Sequence, residues 1–248
     1  MNLVIHRFEQ TASTNDLAVA GAREGGAEGE VFVSESQTAG RGRLGRRWES
    51  PRGKNLYVSI LLRPACPPAQ AALLTLVAGT AVHDLLADLL PGADRLKIKW
   101  PNDLYWGDKK VAGILTEMES QGNRLKWVVV GIGVDLNADP EDFSPEVREK
   151  VTSVKMATAR AVDRETALNR LLEAFGQRYD EFTREGPSKT ISFCEAHSYL
   201  NGRHVRWDDG GERTGVVAGL SPEGHLRVKT EEGIVSILAG DVTPSVRT

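Results

Sequence analysis

The chain contains 248 residues, of which 40% are hydrophobic and 26% are charged, and its formal net charge at pH 7 is −3. This composition is typical of a globular protein with one large domain and a small appendage. The acidic balance argues against a protein whose whole surface binds nucleic acid. The two cysteines, Cys66 and Cys194, are far apart in the sequence, so neither a disulfide framework nor a zinc site is indicated.

The N-terminal residues contain no basic stretch followed by a long apolar segment, so the sequence predicts no secretory signal. The most apolar stretch, residues 69–90, is interrupted by His83, Asp84 and Asp88. These polar residues favour a packed helix over a membrane span. We therefore expect a cytoplasmic protein that has no membrane partner.

The first predicted elements are a helix and two strands. Ser13 and Thr14 carry hydroxyl groups suited to the N-cap of a helix, which we expect to end before Gly25. Clustered apolar residues then predict a strand over residues 31–34. Another strand is predicted over residues 56–62, where apolar residues at alternating positions share one face, as in a half-buried strand.

Two long helices and two further strands are predicted next. Prolines at positions 67 and 68 can open a helix that Pro91 closes, with an apolar face between them. Strands are predicted over residues 111–115 and 127–134. A helix with apolar residues at helical spacing is predicted from about residue 163 to 184, and Gly186 follows as its stop. Together these elements predict an α+β domain.

From about residue 200 the pattern changes to short β-type runs separated by turn signals. The runs cover residues 204–207, 215–220, 226–230 and 234–238. Their spacing predicts a small antiparallel barrel that has no room for an active site of its own. We expect a catalytic domain over residues 1–186, a connecting helix over residues 187–198 and a barrel over residues 199–248.

The most unusual segment is residues 37–48, which contain four arginines, three glycines and a closing tryptophan. Glycine allows the backbone to approach a ligand closely, and the arginine guanidinium offers donors that suit phosphate or carboxylate. The composition favours a loop that folds over an anion. A solvated basic loop and a nucleic-acid contact are the alternatives that the segment alone leaves open.

A second segment, Lys99-Trp100-Pro101-Asn102-Asp103, ends in a turn signal, and turns at strand ends often display functional polar groups. Lys110 opens the strand that follows. A lysine in that place can neutralise a carboxylate or a phosphoryl centre. A hairpin with exposed lysines is the alternative.

A third segment, Gly131-Ile132-Gly133, indicates that backbone passes close to another strand or a ligand. It is not a dinucleotide-binding fingerprint, because the third glycine and the following helix are missing.

Taken jointly and in this order, these segments resemble the catalytic domain of biotin–protein ligases. The matching segments are residues 13–15, 35–48, 99–103, 110–115 and 131–133. The resemblance implies the mixed sheet packed by helices of the biotin/lipoate ligase fold, followed by a small SH3-like barrel. It also implies an ATP-dependent ligase that forms biotinyl-5′-AMP and transfers biotin to a lysine of the biotin carboxyl carrier protein of acetyl-CoA carboxylase or a related carboxylase.

The resemblance also implies roles for individual residues. The catalytic residues would be Lys110, Arg41 and Arg43. The biotin-binding residues would be Ser13, Thr14, Asn15, Gln37, Gly40, Arg41, Gly42, Arg43, Lys110 and Gly113. The residues binding ATP or the adenylate would be Arg41, Arg43, Arg46, Trp48, Lys99, Asn102, Asp103, Lys110, Gly131, Gly133 and Asp135. Asp103 and Asp135 are the candidate ligands of Mg²⁺.

The sequence departs from the family at Asp135, where asparagine is usual, and the role of this carboxylate stays open. The Ser-Thr-Asn segment begins only about a dozen residues into the chain. We therefore expect no helix-turn-helix domain, no DNA binding and no repressor activity. A homodimer is compatible with the sequence.

Three alternatives remain at this point. A lipoate or octanoate ligase or transferase would share the catalytic fold. A nucleic-acid-binding module would use the basic stretch of residues 41–54. A non-catalytic carrier-binding protein would have no need of Lys110.

Overall fold

The computed structural model describes residues 1–245, apart from the side chain of Ala93. A seven-stranded sheet forms the centre of its larger part. In chain order the strands are β1 (Val4–Phe8), β2 (Glu30–Ser34), β3 (Leu56–Leu62), β4 (Leu96–Lys99), β5 (Asp103–Trp106), β6 (Lys109–Gln121) and β7 (Arg124–Val134). Their order across the sheet is β1-β2-β3-β7-β6-β5-β4. Only β1 and β2 are parallel and the other neighbours are antiparallel, so the expected mixed sheet is confirmed.

Helices cover both faces of this sheet. In chain order the helices of the described residues are α1 (Thr14–Arg23), α2 (Ala71–Leu89), α3 (Pro145–Arg148), α4 (Val154–Thr158), α5 (Arg164–Glu185) and α6 (Ser188–Ala196). On one face α2 packs against both the sheet and α5, and on the other face α1 packs against β3 and β7. The helix α5 begins where Asp163 Oδ1 accepts a hydrogen bond from Thr166 N at 2.8 Å, which is an ordinary N-cap.

The expectation that β3 is half-buried is wrong, because all seven of its residues are buried. Val58 and Ile60 belong to the main core under α2. Leu61 points to the other face, where it packs with Ala18 of α1 and Trp127 of β7. The alternating apolar residues of β3 predicted one buried face. The other face is buried too, because α1 packs against it.

The apolar segment Pro68–Leu89 is long and apolar enough to cross a membrane by composition, but 67% of an 18-residue stretch within it is buried inside the protein. It comprises α2 and the short turn before it. Leu74, Val77 and Leu85 are all fully buried or nearly so in the main core. The burial is that of the core helix of a soluble protein.

A second, five-stranded antiparallel sheet follows α6. Its strands are β8 (His204–Asp208), β9 (Glu212–Leu220), β10 (Leu226–Thr230), β11 (Gly233–Ile237) and β12 (Thr243–Pro244), in the order β11-β10-β9-β8-β12. It contacts the larger part through Trp100, whose Nε1 donates to Gly224 O at 2.9 Å. The predicted domain boundaries stay predictions, and residues 246–248 of the predicted barrel lie outside the described residues.

Candidate active site

A cleft lies on the face of the main sheet that carries α1, at the place where β6 and β7 run side by side. It is lined by Ser13, Thr14, Asn15, Gln37, Arg41, Gly42, Arg43, Trp48, Asn102, Lys110, Gly113, Ile114, Leu115, Gly131, Ile132 and Gly133. Every motif singled out in the sequence contributes at least one of these residues. The fold therefore brings segments that are far apart in the chain to one place.

The floor of the cleft is made of Gly113, Gly131 and Gly133, which we call the glycine floor. Gly113 and Gly133 are cross-strand partners on β6 and β7. A methyl group added at Gly133 would lie 2.5 Å from the Trp48 ring, and one added at Gly131 would lie 2.0 Å from Asn15 Oδ1. The indole and the amide therefore lie directly on backbone, where no larger residue than glycine fits.

Little open space remains above this floor. The void in the cleft is about 50 Å³, whereas ligand pockets are typically about 300–1,000 Å³. The indole of Trp48 occupies much of the floor, and its Nε1 is buried without a hydrogen-bond partner within residues 1–245. A ligand of the size of a nucleotide requires Trp48 and its loop to move.

Residues 40–48 form a short hairpin, which we call the lid hairpin. Arg41 and Arg47 are paired by an antiparallel bridge. At the base of the hairpin Trp48 N donates to Gly40 O at 2.9 Å, and a methyl group on Gly40 would lie 2.5 Å from Trp48 O. At the tip Leu44 has φ of 56° and is 70% exposed. The hairpin has its own backbone hydrogen bonds, so it can move as one unit on its base.

A chain of neutral polar groups lines the α1 end of the cleft. Gln37 Oε1 accepts from Thr14 N at 2.9 Å and from Thr14 Oγ1 at 3.2 Å. Ser59 Oγ lies 2.8 Å from Thr14 Oγ1 and 2.6 Å from Asn15 Oδ1. Ser13 stands at the N-cap of α1 as expected, but its side chain makes no capping hydrogen bond. The first residue of this helix, Thr14, is therefore bonded to a side chain that lines the cleft.

Lys110 is held rigidly at the other end of the cleft. Its N–H donates to Lys150 O at 2.9 Å and its carbonyl accepts from Thr152 N at 2.8 Å. Its ammonium lies 2.6 Å from Asp103 Oδ1 and 5.2 Å from the centre of the Trp48 ring. The sequence-based expectation that Lys110 has a rigid backbone and a side chain directed into the cleft agrees with this geometry.

Arg43 of the lid hairpin reaches across the cleft to neutral partners. Its Nη1 donates to Asn102 Oδ1 at 3.0 Å, and its Nη2 donates to Gly240 O at 3.3 Å. Asn102 Nδ2 in turn donates to Ile114 O at 2.9 Å, which fixes the amide against β6. Arg41 differs from Arg43, because its guanidinium pairs with two carboxylates outside the cleft.

Five of the predicted site residues do not line the cleft: Gly40, Arg46, Lys99, Asp103 and Asp135. Arg46 pairs with Asp241, which lies in the segment between β11 and β12. The Lys99 ammonium lies 5.5 Å from the Tyr105 ring, and burial lowers its pKa. Asp103 is adjacent to the cleft through its ion pair with Lys110.

Asp135 lies behind the cleft and is 1% exposed. Its Oδ1 accepts a hydrogen bond from Asn55 Nδ2 at 2.7 Å. Burial raises the pKa of this carboxyl well above its usual value, although the charge of Lys110 acts in the opposite direction. Within residues 1–245 no group of three or more His, Cys, Asp or Glu side chains is placed to hold a metal ion. The pair of Asp103 and Asp135 therefore stays a prediction as ligands of Mg²⁺.

Four polar residues that support the site were not among those predicted from the sequence: Asp16, Asn55, Ser59 and Glu117. Asn55 is fully buried and its Oδ1 accepts from Leu136 N at 3.0 Å, which orders the turn after β7. Ser59 is the one polar residue in the apolar run of β3, and this interruption was an available signal. Glu117 carries no such signal, since glutamates are common on exposed strand ends.

A larger groove on the surface lies away from these residues. It has an open volume of about 900 Å³ and is lined by Arg63, Trp127 and neighbouring residues. Arg63 uses its guanidinium there to donate to the backbone carbonyls of Ala22, Gly26 and Lys126. The guanidinium of Arg63 is therefore engaged in holding the fold, and none of the sequence motifs described above lines this groove.

Two family models match the chain. Residues 8–135 match the biotin/lipoate A/B protein ligase family, and residues 201–243 match the biotin protein ligase C terminal domain. The bifunctional ligase/repressor BirA of Bacillus subtilis is 33% identical, over 97% of this chain and 73% of its own length. The biotin--[acetyl-CoA-carboxylase] ligase of Paracoccus denitrificans is 35% identical, over 94% of this chain and 97% of its own length.

A solved structure is similar over the whole fold. The biotin protein ligase from Aquifex aeolicus in complex with biotin and ATP superimposes with a TM-score of 0.84 and 29% sequence identity, over 97% of this chain and 99% of that chain. The agreement covers the main sheet, its helices and the second sheet. With both parts of the chain matched, in sequence and in fold, the chain belongs to the biotin/lipoate A/B protein ligase family and, within it, to the biotin protein ligases.

Proposed function

We propose that this protein activates biotin with ATP to form biotinyl-5′-AMP and then transfers biotin to a lysine of a biotin carboxyl carrier protein, that of acetyl-CoA carboxylase or a related carboxylase. One observation supports this proposal above the others. A lid hairpin bearing Arg43 and a strand bearing Lys110 meet over the glycine floor in a single cleft. We further propose that the protein works in the cytoplasm.

The neutral end of the cleft suits the head of biotin. The ureido group is uncharged and both donates and accepts hydrogen bonds, as do the side chains of Thr14, Gln37 and Ser59 that are already connected there. Asn15 adds an amide that is 4% exposed. A few fixed polar groups in a largely buried pocket give orientation and specificity.

The charged end of the cleft suits the reacting groups. In the first step a carboxylate oxygen of biotin attacks the α-phosphorus of ATP, a new oxygen–phosphorus bond forms, and pyrophosphate leaves. The ammonium of Lys110 and the guanidinium of Arg43 would stabilise the negative charge that develops. In the second step the ε-amine of the acceptor lysine attacks the acyl carbon, the acyl–phosphate bond breaks, and AMP leaves.

Movement of the lid hairpin would open and close this site. Trp48 covers the glycine floor and must leave it to admit the nucleotide, after which its indole is available as an apolar wall for the adenylate. The mixed anhydride hydrolyses in water, so closure of the hairpin would protect it until the carrier arrives.

Magnesium would accompany ATP rather than occupy a cage built by the protein. Mg²⁺ is commonly held by substrate phosphates, waters and one or two carboxylates. Asp103 lies beside the cleft and is paired with Lys110 at 2.6 Å, and Asp135 is buried. Asp103 and Asp135 stay the predicted protein contacts of Mg²⁺, and no step above depends on them.

The test is transfer of labelled biotin to a carrier protein by the purified protein with ATP. We expect label on the carrier with biotin and ATP together, none when ATP is omitted, and none when the acceptor lysine of the carrier is replaced by arginine. Labelling with lipoate in place of biotin would favour the lipoate ligases, which share the fold. Failure to label any biotin-accepting carrier would refute the proposal.

A further inference from the structure

Arg41, Asp16 and Glu117, which we call the Arg41 triad, join the lid hairpin to two other elements. Arg41 Nη2 donates to Asp16 Oδ1 of α1 at 2.7 Å and to Glu117 Oε2 of β6 at 2.8 Å. Its Nη1 donates to Glu117 Oε1 at 3.1 Å. The guanidinium thus faces two carboxylates, and its positive charge is compensated before any anionic ligand is present.

Arg43, two residues further along the lid hairpin, is in a different environment. Its two partners, Asn102 Oδ1 and Gly240 O, are neutral. Because no carboxylate offsets its charge at those contacts, Arg43 keeps a net attraction for an anion in the cleft. The two arginines are therefore suited to different tasks.

Glu117 also contacts the neutral end of the cleft. Asn15 Nδ2 donates to Glu117 Oε2 at 2.8 Å, while Asn15 Oδ1 lies 2.6 Å from Ser59 Oγ. The same amide lies directly on Gly131 of the glycine floor. One carboxylate therefore connects the lid hairpin to a side chain on the pocket floor, through contacts of hydrogen-bond length on both sides.

We propose that Arg41 is a positioning residue rather than a phosphate ligand, and that Glu117 and Asp16 hold it so that the lid hairpin and the biotin pocket move together. This inference rests on the proposed function, because it assigns these residues roles in binding biotin. It differs from the role that the family resemblance implied for Arg41, namely contact with the adenylate phosphate. Arg43 and Lys110 remain as the cations that face the phosphate.

The test compares the wild type with Glu117→Gln and with the double variant Asp16→Asn/Glu117→Gln. Glutamine keeps an acceptor for Asn15 but removes the charge that attracts Arg41. We expect the KM for biotin, measured by pyrophosphate release, to rise about 5-fold in the single variant, as for loss of an exposed ion pair, and further in the double variant. The kcat should stay within about 2-fold, because no group that touches the phosphate is changed.

Glu119→Gln is the matched control. Glu119 lies two residues further along β6, on the same face, and pairs with Lys126 rather than with the lid hairpin. Its KM should equal that of the wild type. About 0.5 M NaCl screens exposed ion pairs. At this salt concentration the KM of the wild type should rise towards that of the double variant, and the KM of the double variant should change little.

A second measurement does not depend on catalysis. Without ligand, amide hydrogens of residues 40–48 should exchange faster in Glu117→Gln than in the wild type. If Glu117→Gln changed neither the exchange rate nor the KM for biotin, the inference would be overturned. A lower KM in this variant would also overturn it, because it would show that the carboxylates compete with the ligand. Absence of pyrophosphate release by the wild type would instead refute the proposed function, and exchange would still test the coupling.

Discussion

Lys110 lies at the cleft, and its backbone is fixed by a segment outside the main sheet. Segment 150–152 donates to and accepts from its peptide group, whereas Lys109 next to it is exposed. The Lys99 ammonium lies 5.5 Å from the centre of the Tyr105 ring, and Lys99 does not line the cleft. A fixed backbone limits the positions that the ammonium can take, and such preorganisation is what makes a charged group effective at a developing charge.

We predict that Lys110→Ala lowers the rate of adenylate formation by about 100- to 1,000-fold, the usual cost of removing one donor to a developing negative charge. The measurement is pyrophosphate release at saturating biotin and ATP. Lys109→Ala, which removes the exposed neighbour, should retain the wild-type rate. Equal rates for Lys110→Ala and the wild type would contradict the assignment of this lysine.

Asp135 illustrates a buried carboxyl group that costs stability. Its pKa is raised in the folded protein by burial, so the unfolded chain releases its proton at lower pH than the folded chain does. Stability is therefore lost as the pH rises above the ordinary aspartate value of about 3.9. The carboxyl accepts its hydrogen bond from Asn55 Nδ2, and an asparagine Oδ1 can accept the same bond without charge.

We predict that Asp135→Asn raises Tm at pH 7 by about 2–4 °C, equivalent to about 1 kcal/mol for a chain of this size, and that the gain disappears near pH 4. Thermal unfolding across this pH range measures it. Asp139→Asn is the control of opposite sign, because Lys155 lowers the pKa of Asp139 in the folded protein. That variant should lose stability above about pH 4. A pH-independent effect of Asp135→Asn would contradict the account.

The lid hairpin is the element in which structure and function are most closely connected. It carries its own backbone pairing, a tip with a positive φ at Leu44 and a base that holds Trp48 on the glycine floor. An element built in this way can keep its internal structure while it changes its contacts with the rest of the protein.

We predict that amide hydrogens of the lid hairpin exchange slowly in the presence of biotin and a non-hydrolysable ATP analogue and at least about 10-fold faster without them, because closure adds contacts that opening must break. Strand β3, buried on both faces, serves as the internal control and should exchange equally slowly in both states. Equal protection of the lid hairpin with and without ligands would contradict the prediction.

The elements that bear a strong local pattern were predicted from the sequence, whereas those that depend on distant partners were not. The helices α1, α2 and α5 and the glycine and arginine segments were all recognised in the sequence. The second buried face of β3 was missed, because it depends on α1 packing against it. The Arg41 triad was also missed, because Glu117 is 76 residues from Arg41 in the chain and no local pattern marks the pair.

At the scale of the whole molecule, the lid hairpin also contacts the segment between β11 and β12. Arg46 pairs with Asp241, and Arg43 donates to Gly240 O. The second sheet is further connected to the main part through Trp100 and Gly224. The second sheet therefore contributes to one side of the site even though it contains none of the residues that line the cleft.

We predict that Asp241→Asn weakens this contact and releases bound biotinyl-5′-AMP about 2- to 5-fold faster, as expected for loss of one exposed ion pair. The measurement is decay of the bound adenylate after dilution into excess unlabelled ligand. Asp208→Asn, on β8 of the same sheet and away from the lid hairpin, should leave the release rate unchanged. An equal release rate in the wild type and Asp241→Asn would show that this contact does not restrain the hairpin.

We propose that one cleft joins biotin to AMP before the carrier takes part. The most direct test incubates the purified protein with biotin and ATP without carrier, extracts the bound ligand and identifies it by mass. We expect one equivalent of biotinyl-5′-AMP per active site, which disappears when carrier is added while biotin appears on the carrier lysine. Labelling of the carrier without any adenylate bound beforehand would contradict the claim.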